Sequence, residues 1–139
     1  MNCPEQVRVN ETEIMITTTK RVTESDCLLF FKAMADDTRL KIILLLRYES
    51  ELCVCELTHA LQLSQPKISR HIALLKQQQL LSERKSGRWV YYSLAKSLSQ
   101  WKQAVIQNCF EENLPVIDEC LQNLAVMGER PDRVQQCCN

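Results

Sequence analysis

The fold is decided by residues 52–75, which read LCVCELTHALQLSQPKISRHIALL. Two short helical patterns meet in this stretch, the first running from Leu52 or Cys53 to Leu61. Ser64 follows, and serine is among the residue types that best cap a helix N-terminus. Pro66 then falls in the first turn of the second helix, where its missing N–H costs nothing. The stretch therefore predicts two short helices joined by a tight turn.

The second of these helices has one apolar face and one polar face. Its apolar residues recur at i, i+4 and i+7, which places them together toward a core: Ile68, Ile72 and Leu75. The opposite face carries side chains that can hydrogen-bond to bases and phosphates: Gln65, Lys67, Ser69 and Arg70. His71 either contacts a phosphate or forms a hydrogen bond in the core.

Residues 80–94, LLSERKSGRWVYYSL, are rich in residues that favour β-strands and contain a Ser-Gly turn at 86–87. They predict a β-hairpin whose cations, Arg84, Lys85 and Arg88, would follow a DNA backbone. Two helices, a tight turn and a basic hairpin in this order predict a winged helix-turn-helix. The fold class expected is mainly α with a β-hairpin wing.

The rest of the chain supplies packing helices. We expect a flexible arm over residues 1–23, a DNA-binding and dimerisation domain over 24–127 and a loose tail over 128–139. The first helix of the domain is expected to begin near Ser25 and to bury five residues: Cys27, Leu28, Phe30, Phe31 and Met34. Asp36 or Asp37 would cap the next helix, and two more helices would follow the hairpin.

Composition favours a helix-rich, soluble, cytoplasmic protein with no membrane partner. The 139 residues are 45% hydrophobic with two glycines, and the first residues lack the basic and apolar pattern of an export signal. Residues 65–88 hold six basic residues and one acidic residue, a net charge of +5 within a neutral chain. The eight cysteines are expected to stay reduced in the cytosol and so to be available to metals.

Three segments together resemble the ArsR/SmtB family of metal-sensing repressors, and most closely its arsenical-resistance repressors. They are ELCVCEL at 51–57, SQPKISRH at 64–71 and RKSGRWVYY at 84–92. The resemblance covers about residues 26–127. It implies a homodimer held by the first and the last two helices, bound to an imperfect inverted repeat in double-stranded operator DNA.

The thiols of Cys53 and Cys55 are the expected inducer site. On a regular helix residues i and i+2 lie about 200° apart, so binding one ion would distort the first turn. A helix N-terminus favours the thiolate, and thiolates select soft ions, with As(III) or Sb(III) favoured by the resemblance and Cd(II) or Pb(II) as alternatives. Distortion just before the polar helix would couple the ion to DNA release.

A third ligand is left open. Arsenical repressors often carry another cysteine three residues after the second, where this chain has Thr58. Related cadmium and lead sensors take thiols from an N-terminal arm, which makes Cys3 the first candidate and Cys27 the second, or the ion has two ligands. The family's zinc site begins with Asp and His, and the matching Lys96 and Leu98 make zinc sensing doubtful.

Two other functions remain as alternatives: a repressor that senses thiol oxidation, and an enzyme with a Cys55–His59 nucleophile and base. The enzyme is disfavoured because no glycine-rich phosphate loop or CxxC motif accompanies the pair. His59 is otherwise an exposed residue or a nitrogen ligand. We expect Cys109 and Cys120 to pack in an interface. Cys137 and Cys138 lie in the loose tail, where they could capture an arsenical, but we favour disordered residues without a role there.

Overall fold

A computed structural model describes residues 25–130 and 133–134. The elements, in chain order, are α1 (Asp26–Met34), α2 (Asp37–Glu49), β1 (Glu51–Cys53), α3 (Val54–Leu61), α4 (Gln65–Gln77), β2 (Leu81–Ser86), β3 (Trp89–Leu94), α5 (Gln100–Glu112), a 3₁₀ turn (Leu114–Ile117) and α6 (Asp118–Met127). Among these residues no helix combines the length and apolar character needed to cross a bilayer. The expected arm lies outside the described residues.

The first two helices begin at side-chain caps. Ser25 Oγ accepts the Leu28 N–H at 3.1 Å, and Asp36 Oδ2 accepts the Arg39 N–H at 3.0 Å. The start near Ser25 and the cap at Asp36 are thus confirmed. The five core residues predicted for α1 are only partly correct, because Phe30 and Met34 are buried whereas three others are exposed: Cys27, Leu28 and Phe31.

One strand was missed by sequence reasoning. Glu51–Cys53 pairs antiparallel with β3, with Cys53 opposite Tyr91, and the sheet order is β1-β3-β2. The helix expected to start at Leu52 or Cys53 therefore starts at Val54, and Cys53 is its N-cap with an extended backbone. Three residues are too short to show the alternation of a strand, and their pairing partner lies about forty positions later.

The hairpin forms as predicted. Strands β2 and β3 pair from Leu81 opposite Leu94 to Ser86 opposite Trp89. The two-residue turn is Gly87 and Arg88, one position later than expected, and Gly87 takes the positive φ of 63° that this turn needs. The hairpin leaves the body of the protein beside α4, as a wing would.

The helices pack around one apolar core. Residues 42–46 of α2 are all buried, and they are surrounded by buried residues of the other elements, including Leu57, Ile68, Leu75 and Ile106. Pro115 lies in the 3₁₀ turn that leads into α6. The described residues of the expected loose tail differ from the prediction: Arg130, Arg133 and Val134 pack against the body, and Val134 is buried.

Candidate functional site

The polar face of α4 is open to solvent. All four residues assigned to it are exposed: Gln65, Lys67, Ser69 and Arg70. The residues of the opposite face, Ile68, Ile72 and Leu75, are at most 3% exposed, which fixes the rotation of the helix. The N-terminus of α4, with its positive dipole end, lies on the same exposed side. Such a face can be inserted into the major groove of DNA without unpacking the core.

His71 is held by the start of α2. Its Nδ1 atom lies 3.3 Å from Arg39 Nη1 and 3.8 Å from Asp36 Oδ2. The ring nitrogen that faces Arg39 accepts the hydrogen bond, so the hydrogen bond within the protein, one of the two alternatives, is present. The same contact joins the recognition helix α4 to the N-cap of α2.

The three cations of the wing differ in what they contact. Arg84 donates to Glu51 at 2.5 and 3.3 Å and lies over the Tyr91 ring at 4.9 Å. Arg88 lies in the turn over the Trp89 ring at 5.2 Å, and Lys85 is exposed beside it. The tip of the wing therefore presents Lys85 and Arg88, whereas Arg84 binds back toward β1.

The two candidate thiol ligands lie where β1 becomes α3. Cys53 is 2% exposed, and Cys55, two residues later in the first turn of α3, is half-buried. Because Cys53 has φ −91° and ψ 169°, it is outside the helix, and the 200° separation expected for two helical residues does not apply. The junction already has the irregular backbone that a shared ion was expected to induce.

Cys55 is in a disulfide bond, whereas Cys53, Cys27, Cys109 and Cys120 are reduced. The expectation that every cysteine stays reduced is wrong at Cys55. A disulfide there is compatible with thiol chemistry at this junction, since exchange with a reductant returns the thiolate.

Glu56 is the residue of this site that sequence reasoning missed. It is fully buried, and its Oε1 accepts the Cys53 N–H at 2.9 Å. Arg130 donates to both carboxylate oxygens at 2.7 and 3.0 Å, and Arg133 Nε donates to Oε2 at 2.6 Å. Burial alone would raise the pKa of Glu56, but the hydrogen bonds from Arg130 and Cys53 and the charges of both arginines hold it below its usual value. The Cys-x-x-Glu spacing at 53–56, that of a capping box, was the available signal.

The remaining candidate ligands do not form one cluster among the described residues. His59 is exposed, as one alternative expected. Cys27 is exposed on α1, Cys109 is half-buried and Cys120 is buried, with a pKa raised by that burial. Within residues 25–130 and 133–134 no three His, Cys, Asp or Glu side chains are grouped to hold a metal ion. Three cysteines, Cys3, Cys137 and Cys138, lie outside the described residues.

Comparison with known proteins fits this arrangement. A family profile described as "Bacterial regulatory protein, arsR family" matches residues 36–83. The chain is 49% identical over 107 residues to the arsenic resistance transcriptional regulator ArsR1 of Pseudomonas putida, covering 77% of this chain and 84% of that protein. This chain belongs to the ArsR family. ArsR1 is a transcriptional regulator of arsenic resistance.

Two further ArsR-family comparisons agree. The arsenical resistance operon repressor of Escherichia coli is 46% identical over 95 residues, 68% of this chain and 81% of that protein. The structure of HlyU from Vibrio cholerae superposes with a TM-score of 0.58 at 34% identity, covering 64% of this chain and 92% of HlyU. The winged-helix fold is thereby confirmed, and an ArsR-family winged helix with this exposed α4 is a DNA-binding transcriptional regulator.

Proposed function

We propose that this ArsR-family protein is a homodimeric repressor of a metal(loid)-resistance operon, released from its operator when As(III) or Sb(III) binds Cys53 and Cys55. The observation that carries the proposal is the position of Cys53. It is both the last residue of the strand paired with the wing and the N-cap of the helix before α4. An ion bound there acts on both DNA-contacting elements at once.

In the repressing state the operator is held by α4 and the wing. Gln65, Ser69 and Arg70 face base edges in the major groove, and Lys67 pairs with a phosphate. Lys85 and Arg88 follow the adjacent backbone, while Arg84, which binds Glu51, contributes less. His71, whose Nδ1 atom contacts Arg39, adds a further DNA contact through its other ring nitrogen.

An exposed aromatic patch on α1 and α5 supports the homodimer. Leu28 and Phe31 are each 46% exposed, and Trp101 of α5 is 39% exposed. The Phe31 and Trp101 rings lie 6.3 Å apart, so the patch is continuous between the two helices. Contiguous exposed apolar surface of this kind marks a protein interface. A two-fold axis through it would present two α4 helices to an inverted repeat.

Release follows from how the thiol site is connected. Helix α3 packs against α4 and against α6, and β1 is hydrogen-bonded to β3. The short connection 62–64 includes Gln62 in the left-handed conformation at φ 57°, which leaves little slack between α3 and α4. A change in the first turn of α3 is therefore passed to the groove-binding face. A coupling of about 1–3 kcal/mol would weaken operator binding roughly 5- to 150-fold.

The donor set selects the inducer. Two cysteine sulfurs at a helix N-terminus suit a soft, thiophilic ion. The Glu56 carboxylate beside them already accepts hydrogen bonds from Arg130 and Arg133, so it is not offered to a hard cation such as calcium or magnesium. The names of the similar regulators from P. putida and E. coli point to arsenic. Cd(II) and Pb(II) share the preference for thiolates and are the competing inducers.

A repressor released by thiol oxidation is the second candidate, favoured by the disulfide at Cys55. Formation of that bond would act on the same first turn of α3. Peroxide would then release the operator without any ion, and a reductant would restore binding.

The test is operator binding by fluorescence anisotropy, with a duplex that bears the inverted repeat of the protein's own promoter. The protein is titrated in the phosphine reductant TCEP with arsenite, antimonite, Cd(II), Pb(II) and Zn(II), and separately with peroxide in place of TCEP. We expect arsenite or antimonite to release wild-type protein, whereas Cys53→Ser binds DNA with unchanged affinity and is not released. Cys109→Ser is the matched control and should respond like wild type.

Two results would overturn the proposal. One is a fully loaded wild-type protein that holds DNA as tightly as the ion-free protein. The other is a Cys53→Ser, Cys55→Ser double variant that still responds to arsenite, since the inducer site would then lie elsewhere. Release by peroxide but by none of the ions would favour the second candidate.

A further inference from the structure

We propose that Glu51 competes with the DNA phosphates for Arg84, and that this competition lowers the affinity of the wing for the operator. The proposal rests on the proposed function, because it takes operator binding by the wing as given there, but it does not depend on which ion is the inducer. The observation behind it is an ion pair that crosses the sheet from β2 to β1.

The ion pair spans the whole width of the three-stranded sheet. Strand β3 lies between β1 and β2, and Tyr91 of β3 has Cys53 opposite it on one side and Arg84 on the other. Residues directly opposite each other on neighbouring strands share one face of a sheet, so these three side chains share a face. Glu51, two residues before Cys53, lies on that face as well. Arg84 therefore reaches over Tyr91 to bind Glu51.

The Arg84 guanidinium binds the Glu51 carboxylate through two nitrogens. Its Nη2 donates to Oε1 at 2.5 Å and its Nε donates to Oε2 at 3.3 Å, while the guanidinium carbon lies 4.9 Å from the centre of the Tyr91 ring. Arginine binds a phosphate group with the same pair of parallel hydrogen bonds. The Glu51 carboxylate and a DNA phosphate are thus alternative partners for one set of donors.

The two members of the pair differ in how firmly they are held. The Glu51 carbonyl oxygen accepts a hydrogen bond from Arg130 at 2.6 Å, and its side chain is only 27% exposed. The Arg84 side chain is 56% exposed and precedes the exposed Lys85 in the wing. An ion pair as accessible to water as this one adds little to stability. Arg84 can therefore exchange partners without unfolding the wing, whereas Glu51 stays with β1.

Competition of this kind changes how salt affects operator binding. Each phosphate that a cation neutralises adds about 0.9 to the slope of log K against log salt, through release of counter-ions. As long as Glu51 neutralises Arg84, the protein does not gain the full effect of that contact. Without the Glu51 charge, one further phosphate contact for each protomer would tighten binding up to about eightfold at 0.1 M salt, relative to 1 M salt.

The sign of the effect separates competition from a purely structural role. If the ion pair only braces the wing against β1, loss of the Glu51 charge loosens the wing and weakens operator binding. If Glu51 competes for Arg84, the same substitution strengthens operator binding and makes it more sensitive to salt.

The test is operator binding by fluorescence anisotropy at several salt concentrations, with full-length protein in TCEP and no inducer. We expect Glu51→Gln to bind the duplex about three- to eightfold more tightly at 0.1 M salt, with a slope steeper by about 0.9 for each protomer. The Glu51→Gln, Arg84→Ala double variant should lose both gains. Glu51→Asp keeps the charge and should stay closer to wild type than Glu51→Gln does.

Two further variants complete the test. Glu112→Gln removes the same charge from an exposed position at the end of α5, and this matched control should bind the operator like wild type. Arg84→Ala in the wild-type background is independent of how well Glu51→Gln folds. Its salt slope should fall by less than half of the fall seen for Lys67→Ala, because Glu51 already neutralises Arg84.

Three results would overturn the inference. The first is operator binding by Glu51→Gln that is unchanged or weaker. The second is tighter binding that persists in the Glu51→Gln, Arg84→Ala variant, since the gain would then not come from Arg84. The third is an equal loss of slope in Arg84→Ala and Lys67→Ala. In each case wild-type protein still binds the operator and is released by arsenite, so the proposed function survives; wild-type protein that binds no operator at any salt concentration would remove both.

Discussion

The buried carboxylate of Glu56 gives the sharpest prediction about what holds the thiol site together. Glu56→Gln removes the negative charge but keeps the size of the side chain and one oxygen that can still accept the Cys53 N–H. Arg130 and Arg133 then lose their shared counter-ion. We expect the substitution to destabilise the fold and to release the chain after α6 from α3.

The expected loss in free energy of unfolding depends on how far each arginine can replace its lost ion pair with water. Breaking a buried ion pair by removing one partner costs about 3–5 kcal/mol, because an uncompensated charge stays buried. The side chain of Arg133 is 9% exposed, so it cannot recover its lost contact from water, although Glu49 remains 3.4 Å away. The side chain of Arg130 is 31% exposed and can be solvated. We therefore expect the lower end of that range, about 3 kcal/mol.

The assay is equilibrium urea unfolding in TCEP, followed by circular dichroism at one fixed protein concentration, since the proposed dimerisation would contribute to the measured stability. With an m-value of about 2 kcal/mol/M, a loss of 3 kcal/mol lowers the midpoint by about 1.5 M. Glu112→Gln, an exposed position on α5, is the control and should shift the midpoint by less than about 0.25 M.

A double-mutant cycle separates the ion pair from simple packing loss. If Glu56 and Arg133 act together, Arg133→Gln should cost much less in the Glu56→Gln background than in wild type. Equal costs in both backgrounds, or a midpoint for Glu56→Gln that coincides with the Glu112→Gln control, would refute the assignment of Glu56 as the anchor of the tail.

Further outcomes are expected elsewhere in the molecule. Lys67→Ala and Arg70→Ala should each weaken operator binding and flatten its salt dependence, measured by anisotropy at several salt concentrations. For Lys67→Ala, which removes a phosphate contact, the slope of log K against log salt should fall by about 1. Phe31→Glu should shift the gel-filtration profile from dimer to monomer by charging the exposed α1 patch. The hydrogen bond from the Arg39 N–H, followed by the charges of Arg39 and His71, lowers the pKa of Asp36. Ionised Asp36 therefore stabilises the fold above about pH 4, and this contribution is lost as the pH falls further. Asp36→Asn should flatten that acid-side loss of stability in thermal melts. Gly87→Ala should cost about 1 kcal/mol in urea unfolding, because φ there is 63°.

Local sequence signals predicted the buried and exposed faces of α4 well. The positions of Ile68, Ile72 and Leu75 fix which side of α4 is buried, and that spacing is visible within twelve residues. Ser64 and Pro66 mark the start of the helix, and the Ser-Gly pair at 86–87 marks the hairpin to within one residue. Caps, turns and periodicity are properties of neighbouring residues, so one sequence is enough to find them.

The features that were missed depend on distant partners. Strand β1 exists because Glu51–Cys53 meets β3, about forty positions later in the sequence. The anchoring of the tail requires Glu56 to meet Arg130 and Arg133 more than seventy positions away. No periodicity in the sequence indicates that Glu56 pairs with these two arginines, and arginine side chains are ordinarily solvated.

The same long-range contacts explain why a thiol ligand at this junction would be an effective switch. Tyr91 of the wing pairs with Cys53 in the sheet. The guanidinium carbons of Arg84 and Arg130 each lie 4.9 Å from the centre of its ring. A shift at Cys53 therefore cannot be absorbed locally, because the wing strand, the start of α3 and the chain after α6 all contact this junction. An exposed CxC pair in a loop would bind the same ions but would have no comparable route to the operator.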